Sequence, residues 1–155
     1  MSAVKNPPEG YTSVTPYLTI DGAAAAIEFY GKAFGAVEIM RMQMGDRVGH
    51  AEIRVGNAII MLADEFPEMK ICGPKTLGGA SGSLMVYLDD VDAAFKRAID
   101  AGCTEDKPLT DQFWGDRMGG VVDPFGHKWM LATHVEDVSP DEMGRRMKAF
   151  AEQFA

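Results

Sequence analysis

A strand followed by an amphipathic helix occurs twice in this chain, 68 positions apart, and each copy is followed by three more strand-like segments. In the first copy, residues 16–20 read as a strand, Asp21 as a helix cap, and Ala23, Ile27, Tyr30 and Phe34 as an apolar stripe stopped by Gly35. In the second, residues 86–88 are the strand, Asp89 or Asp90 the cap, Val91, Phe95 and Ala98 the stripe, and Gly102 the stop. The shift keeps Asp21/Asp89, Ala25/Ala93, Ala26/Ala94 and Ala33/Ala101 identical. A helix followed by three strands is not the alternation that builds a parallel crossover sheet. The pattern predicts an α+β fold of two βαβββ modules forming a curled mixed sheet, plus a C-terminal helix.

The strands predicted after the first helix are residues 36–44, 47–55 and 58–63, with Gly45-Asp46 as a two-residue type II′ turn. After the second they are 103–109, 116–122 and 127–133, the last turn being Asp123-Pro124-Phe125-Gly126. The modules thus span residues 13–64 and 82–134 of a single domain. Residues 65–81, rich in Pro and Gly, form a linker that folds the modules together or swaps them between chains. The capping sequence Ser139-Pro140-Asp141-Glu142 predicts a helix over 139–154 with Met143, Met147, Phe150 and Phe154 on one face, packed on its own domain or on a partner subunit.

Bulk properties exclude several classes of function. The net charge of −8 offers no basic stripe for a phosphate backbone, so no nucleic-acid partner is expected. No apolar run approaches the roughly 20 residues of a membrane span, and the first residues lack a signal core, so a cytoplasmic protein without a membrane partner is expected. The two cysteines, Cys72 and Cys103, have no metal or redox spacing and read as reduced structural thiols. Gly79-Ala80-Ser81-Gly82 is not a phosphate loop, because a strand follows where a helix is required.

If the Gly45-Asp46 turn sets the register, Arg41 faces His50 and Ile39 faces Glu52. One face of the hairpin then carries Arg41, Gln43, His50, Glu52 and Arg54, and the other the apolar residues that meet the first helix. His50 and Glu52, two apart on a strand, point the same way: a base with its orienting group, a pair of metal ligands, or part of a solvated ionic network. Arg41 and Arg54 are candidates to hold an anionic group of a ligand. Phe113 and Trp114, in a turn among charged residues, are candidates for a pocket rim, or for packing at the sheet edge. His127 and His134 read as surface or hydrogen-bonded histidines.

The chain resembles the PhnB-like branch of the vicinal-oxygen-chelate superfamily, which includes glyoxalases, bleomycin-resistance proteins and dioxygenases. The resemblance runs over about residues 13–147. It is carried by Tyr17-Leu18-Thr19-Ile20-Asp21, Ile27-Glu28-Phe29-Tyr30, Gly49-His50-Ala51-Glu52, Tyr87-Leu88-Asp89-Asp90-Val91, Asp111-Gln112-Phe113-Trp114-Gly115-Asp116-Arg117, Asp123-Pro124-Phe125-Gly126-His127 and Ala132-Thr133-His134-Val135-Glu136-Asp137. It implies two curled modules around a cleft, a small-molecule ligand and a homodimer. It implies either an enzyme of lyase, isomerase or dioxygenase type acting on a small polar metabolite, with His50 and Glu52 catalytic, or a protein that only binds and sequesters its ligand. Metal-using relatives place His, Gln or Glu on the first and last strands of each module. The matching positions here are Thr15, Ser83, Ile60 or Met61, and Met130, so the usual divalent-metal site is not expected and Met130 becomes a ligand-contact candidate. A methyltransferase label attached to this branch does not fit, since no methyl-donor binding fold fits in 155 residues.

Overall fold

The computed structural model describes residues 4–154. The first module runs β1 (Tyr17–Ile20), α1 (Ala23–Phe34), β2 (Val37–Met44), β3 (Arg47–Val55) and β4 (Ala58–Asp64). The second runs β5 (Ser83–Tyr87), α3 (Val91–Ala101), β6 (Thr104–Asp111), β7 (Asp116–Val122) and β8 (Lys128–His134). Between them lies a short helix α2 (Pro74–Leu77), and α4 (Pro140–Glu152) ends the chain. Each module makes a four-stranded sheet, ordered β1-β4-β3-β2 and β5-β8-β7-β6, with the first strand parallel to the last and the other pairs antiparallel. The expected α+β architecture and C-terminal helix are therefore present.

Period-2 alternation decides which face is covered. Leu18, Ile20, Ala51, Ile53, Ile60 and Leu62 are buried on the side where α1 presents Ile27, Tyr30 and Phe34. The second sheet offers Val121, Trp129 and Leu131 to Val91, Phe95 and Ala98 of α3. Gly119 leaves room for this contact, because a Cβ there would lie 2.7 Å from Phe95 Cε2.

The modules share one core. The ring centroids of Phe34 and Trp129 are 4.4 Å apart and those of Tyr30 and Trp129 5.2 Å. Arg97 Nε donates to the Ala33 carbonyl at 3.0 Å, tying α3 to the end of α1. His127 Nε2 donates to the Thr19 carbonyl at 3.0 Å, fastening the second module to β1, an edge strand of the first sheet. His127 thus has a structural use.

Two local expectations are corrected. Asp21 does not cap α1: its N-cap is Gly22, with φ 93 and no side-chain cap. The free amides of Gly22 and Ala23 instead donate to Asp64 Oδ1 at the end of β4, at 3.1 and 2.7 Å. In α3 the expectation holds, and Asp90 accepts from the Ala93 amide at 3.0 Å.

The second correction is the hairpin register. Gly45 has the positive φ that its turn needs, and next to it Met44 faces Arg47 and Gln43 faces Val48. Gly49 is then an extra residue on β3, so Met42 faces His50, Arg41 faces Ala51 and Met40 faces Glu52. A one-residue bulge sends every following side chain of the partner to the other face. Arg41 therefore lies on the α1 side, paired with Glu38 at 2.9 Å, and Met40 and Met42 take the places predicted for polar residues.

Candidate functional site

The face of the first sheet turned away from α1 carries a line of four hydrogen-bonded side chains from three segments. Tyr17, on β1, donates to His50 Nδ1 at 2.9 Å. His50 Nε2 lies 3.2 Å from Glu52 Oε1 on the same strand, and the Tyr11 hydroxyl, from the segment before β1, donates to Glu52 Oε2. The Tyr11 hydrogen bond holds the Glu52 carboxyl below the usual carboxylate range against its partial burial, and His50 adds to this. An ionised Glu52 fixes the tautomer: the proton sits on Nε2, and Nδ1 is left as the acceptor for Tyr17. His50 and Glu52 are largely covered, whereas Tyr17 is 52% exposed. Tyr17 is thus the exposed end of the line.

The other predicted residues are dispersed. Arg54 is exposed on the same face, opposite Ile59 and Val37. Arg41 is on the opposite face and apart from His50. The Phe113 ring centroid lies 5.0 Å from that of Phe150 of α4, in a tilted contact, and 5.0 Å from that of Trp114, edge-on, so it joins the C-terminal helix to the second module. Met130, buried on the outer face of the second sheet, pairs with Met85 and Gly120 and fills the space that a side chain at Gly120 would take.

Trp114 belongs to a second cluster that sequence reasoning missed. Asp116, only 4% exposed, accepts from Tyr87 Oη and Trp114 Nε1, each at 3.0 Å, and lies 2.7 Å from His134 Nδ1. His134 Nε2 reaches Asp137 at 3.0 Å. Burial works against the Asp116 charge, but the bonds from His134, Tyr87 and Trp114 outweigh it and keep the carboxyl below the usual range. The same two carboxylates, Asp116 foremost, raise the His134 pKa above its ordinary value. The signal in the sequence was Asp116 at the start of a strand, but its partners come from β5, the turn before β7 and the end of β8.

On the outer faces, where first and last strands meet, Tyr17 stands opposite Met61 and Thr19 opposite Ala63, while Met85 stands opposite Met130 and Tyr87 opposite Ala132. Ser83 stands two residues before Met85 on β5, opposite Lys128, while Thr15 precedes β1 and Ile60 is buried toward α1. Thioethers and a phenol are poor donors for the hard or borderline divalent ions of metal-dependent relatives. The donor set does not fit such an ion, and among the described residues no three His, Cys, Asp or Glu side chains gather as a ligand group.

The sequence profile of the Glyoxalase/Bleomycin resistance protein/Dioxygenase superfamily matches residues 12–131, and the chain belongs to that superfamily. It is 43% identical over 143 residues to a protein of Mycobacterium bovis described as uncharacterized, covering 88% of this chain and 93% of that one. Among solved structures, it is similar to a gene product of Arabidopsis thaliana, with a TM-score of 0.64 and 25% identity over 79% of this chain and 98% of that one. TioX from Micromonospora sp. ML1 matches with a TM-score of 0.62 and 25% identity, covering 83% and 100%. A Bacillus cereus PhnB protein, described as a putative 3-demethylubiquinone-9 3-methyltransferase, shares the fold at a TM-score of 0.61 and 18% identity, covering 79% and 99%.

Proposed function

We propose that this chain binds a small molecule on the open face of its first sheet and moves a proton between that molecule and His50 through Tyr17. The observation that carries the reading is the line from Tyr17 through His50 to an ionised Glu52. A ligand hydrogen passes to the Tyr17 oxygen while the Tyr17 proton moves to His50 Nδ1. The imidazolium so formed keeps its Nε2–H on Glu52, whose charge stabilises it. Tyr11 serves as a positioning residue for Glu52, and Arg54, exposed on the same face two residues beyond Glu52, is the cation offered to an anionic substituent.

The alternative, binding without chemistry, is favoured by one observation, the methionines at the paired strand positions, which suit an apolar contact. Proton exchange separates the two readings. Enolisable ketones incubated with the protein in deuterated water should take up deuterium faster than in buffer. His50→Ala and Tyr17→Phe should each lower that rate about 100-fold. Binding by the wild type with no exchange above buffer would establish the second reading.

The reading places the protein in the PhnB-like branch, supported by the linked sequence strings and by the shared fold of the Bacillus cereus protein. It also expects a cytoplasmic setting, which suits two free thiols, and a homodimer. The apolar residues exposed on the outer faces and on α4, among them Met42, Met85, Tyr87 and Phe150, supply the surface that a second copy would cover. Sedimentation equilibrium tests the dimer.

A further inference from the structure

Beside the Tyr17–His50 pair the open face runs into a walled cavity of about 580 Å³, a volume typical of small-molecule clefts. Thr19, Gly49 and Ala63 of the sheet contribute to it, with Met44, Phe66, Met69 and Ile71 around them. One wall is the loop after β4. Phe66 and Ile71 exchange backbone hydrogen bonds of 2.8 and 3.1 Å, closing the loop around a 3-10 turn at Pro67–Met69. Arg47 of β3 pins that wall: its guanidinium lies 5.1 Å from the Phe66 ring centroid and 2.8 Å from Glu68 Oε1.

Gly49, the bulge residue, also shapes the cavity. A Cβ there would lie 2.3 Å from Met44 Sδ, so its missing side chain is what allows Met44 to fold over the strand. Met44, Met69 and Ile71 are all exposed, although the loop that carries two of them is tied by its own hydrogen bonds. Exposed apolar side chains on a fixed frame mark a ligand groove, and thioethers contact aromatic rings favourably. Tyr17 lines this cavity and also heads the proton line, so an apolar body and a polar end meet at one hydroxyl.

We infer that the ligand is a flat, apolar ring compound with a single hydroxyl or carbonyl group, its ring among Met44, Phe66, Met69 and Ile71 and its oxygen at Tyr17. This rests on the proton-relay reading and narrows its small molecule to an aromatic alcohol or ketone. The probe is 2-naphthol, titrated into the full chain carrying 13C-methyl methionine. The methyl signals of Met44 and Met69 should shift saturably, and Met69→Lys and Ile71→Lys, both at exposed positions, should each weaken binding about tenfold. The diol 1,2-propanediol, with hydroxyls and no ring, should move neither methyl.

No saturable shift at Met44 and Met69, or unchanged affinity in both lysine variants, overturns the inference. Deuterium exchange then shows which reading has failed. Exchange that still needs His50 but ignores both lysine variants leaves the relay standing and removes the ring site. Methyl shifts without any His50-dependent exchange leave the ring site and remove the relay.

Discussion

The Tyr30 hydroxyl donates to Asp123 Oδ2 at 2.8 Å, joining the helix of the first module to the last turn of the second. Both residues are buried, and Asp123 also accepts from Trp129 Nε1 and from the amides of Phe125 and His127, each at 2.9 Å. Tyr30→Phe leaves the carboxylate three donors and should cost about 1 kcal/mol of unfolding free energy. Asp123→Ala strands four donors, two of them on fully buried rings, and should cost about 3 kcal/mol or more. Urea unfolding of the two variants checks the order, and equal losses would contradict this account.

Asp64 should matter more to α1 than Asp21. It accepts the amides of Gly22, Ala23 and Val48, the last at 2.6 Å. Asp64→Ala should therefore lower stability by about 1–2 kcal/mol, the worth of a helix cap, while Asp21→Ala should change it little. The same denaturation experiment compares them.

His134 gives stability a pH dependence of known sign. Its folded-state pKa is raised, so its contribution is complete below the unfolded value and lost as pH rises through the folded value. Asp116 has a lowered pKa, so its contribution is present above the usual carboxylate range and lost as pH falls through the depressed value. The stability difference between wild type and His134→Gln should therefore be largest in mildly acidic solution and shrink toward alkaline pH. Melting temperatures across that range test it, and a difference growing with pH would rule it out.

The two thiols should differ in reactivity. Burial, with Asp123 nearby, pushes the Cys103 pKa up to about 12, which removes the reactive thiolate at neutral pH. Cys72 is partly exposed. A disulfide reagent should modify one thiol in the native protein and two after denaturation, and Cys72→Ser should abolish the native reaction.

The register makes a further contrast. Arg41 is bound to Glu38 on the side away from His50. Arg41→Ala should leave the ligand-dependent shift of the His50 ring signals within error of wild type, while Tyr17→Phe should reduce it several-fold. An Arg41 effect as large as that of Tyr17 would restore the unbulged register.

The doubled module was legible because stripe spacing, helix stops and turn residues are local signals, and the strands predicted at 47–55 and 116–122 have those bounds. The site was legible only in part. His50 and Glu52 share a face because they share a strand, but Arg41 was assigned to that face through a register that Gly49 interrupts. A glycine in a strand admits a bulge without announcing one. Tyr11, Tyr17, Tyr87 and Asp116 became visible only when distant segments were brought together, since, Trp114 beside Asp116 apart, none of their partners is local in sequence. The cap of α1 failed for the same reason, its acceptor arriving from 41 residues away.

The aromatic core shared by Tyr30, Phe34 and Trp129 makes a chain that repeats in sequence indivisible in folding. Cleavage between α2 and β5 should yield halves that each expose half of that core to water. Neither half would persist as a folded unit, and mixing them should restore a complex that melts in a single transition. Two modules alike in pattern are one thermodynamic object, and substitutions in either half are felt by the whole.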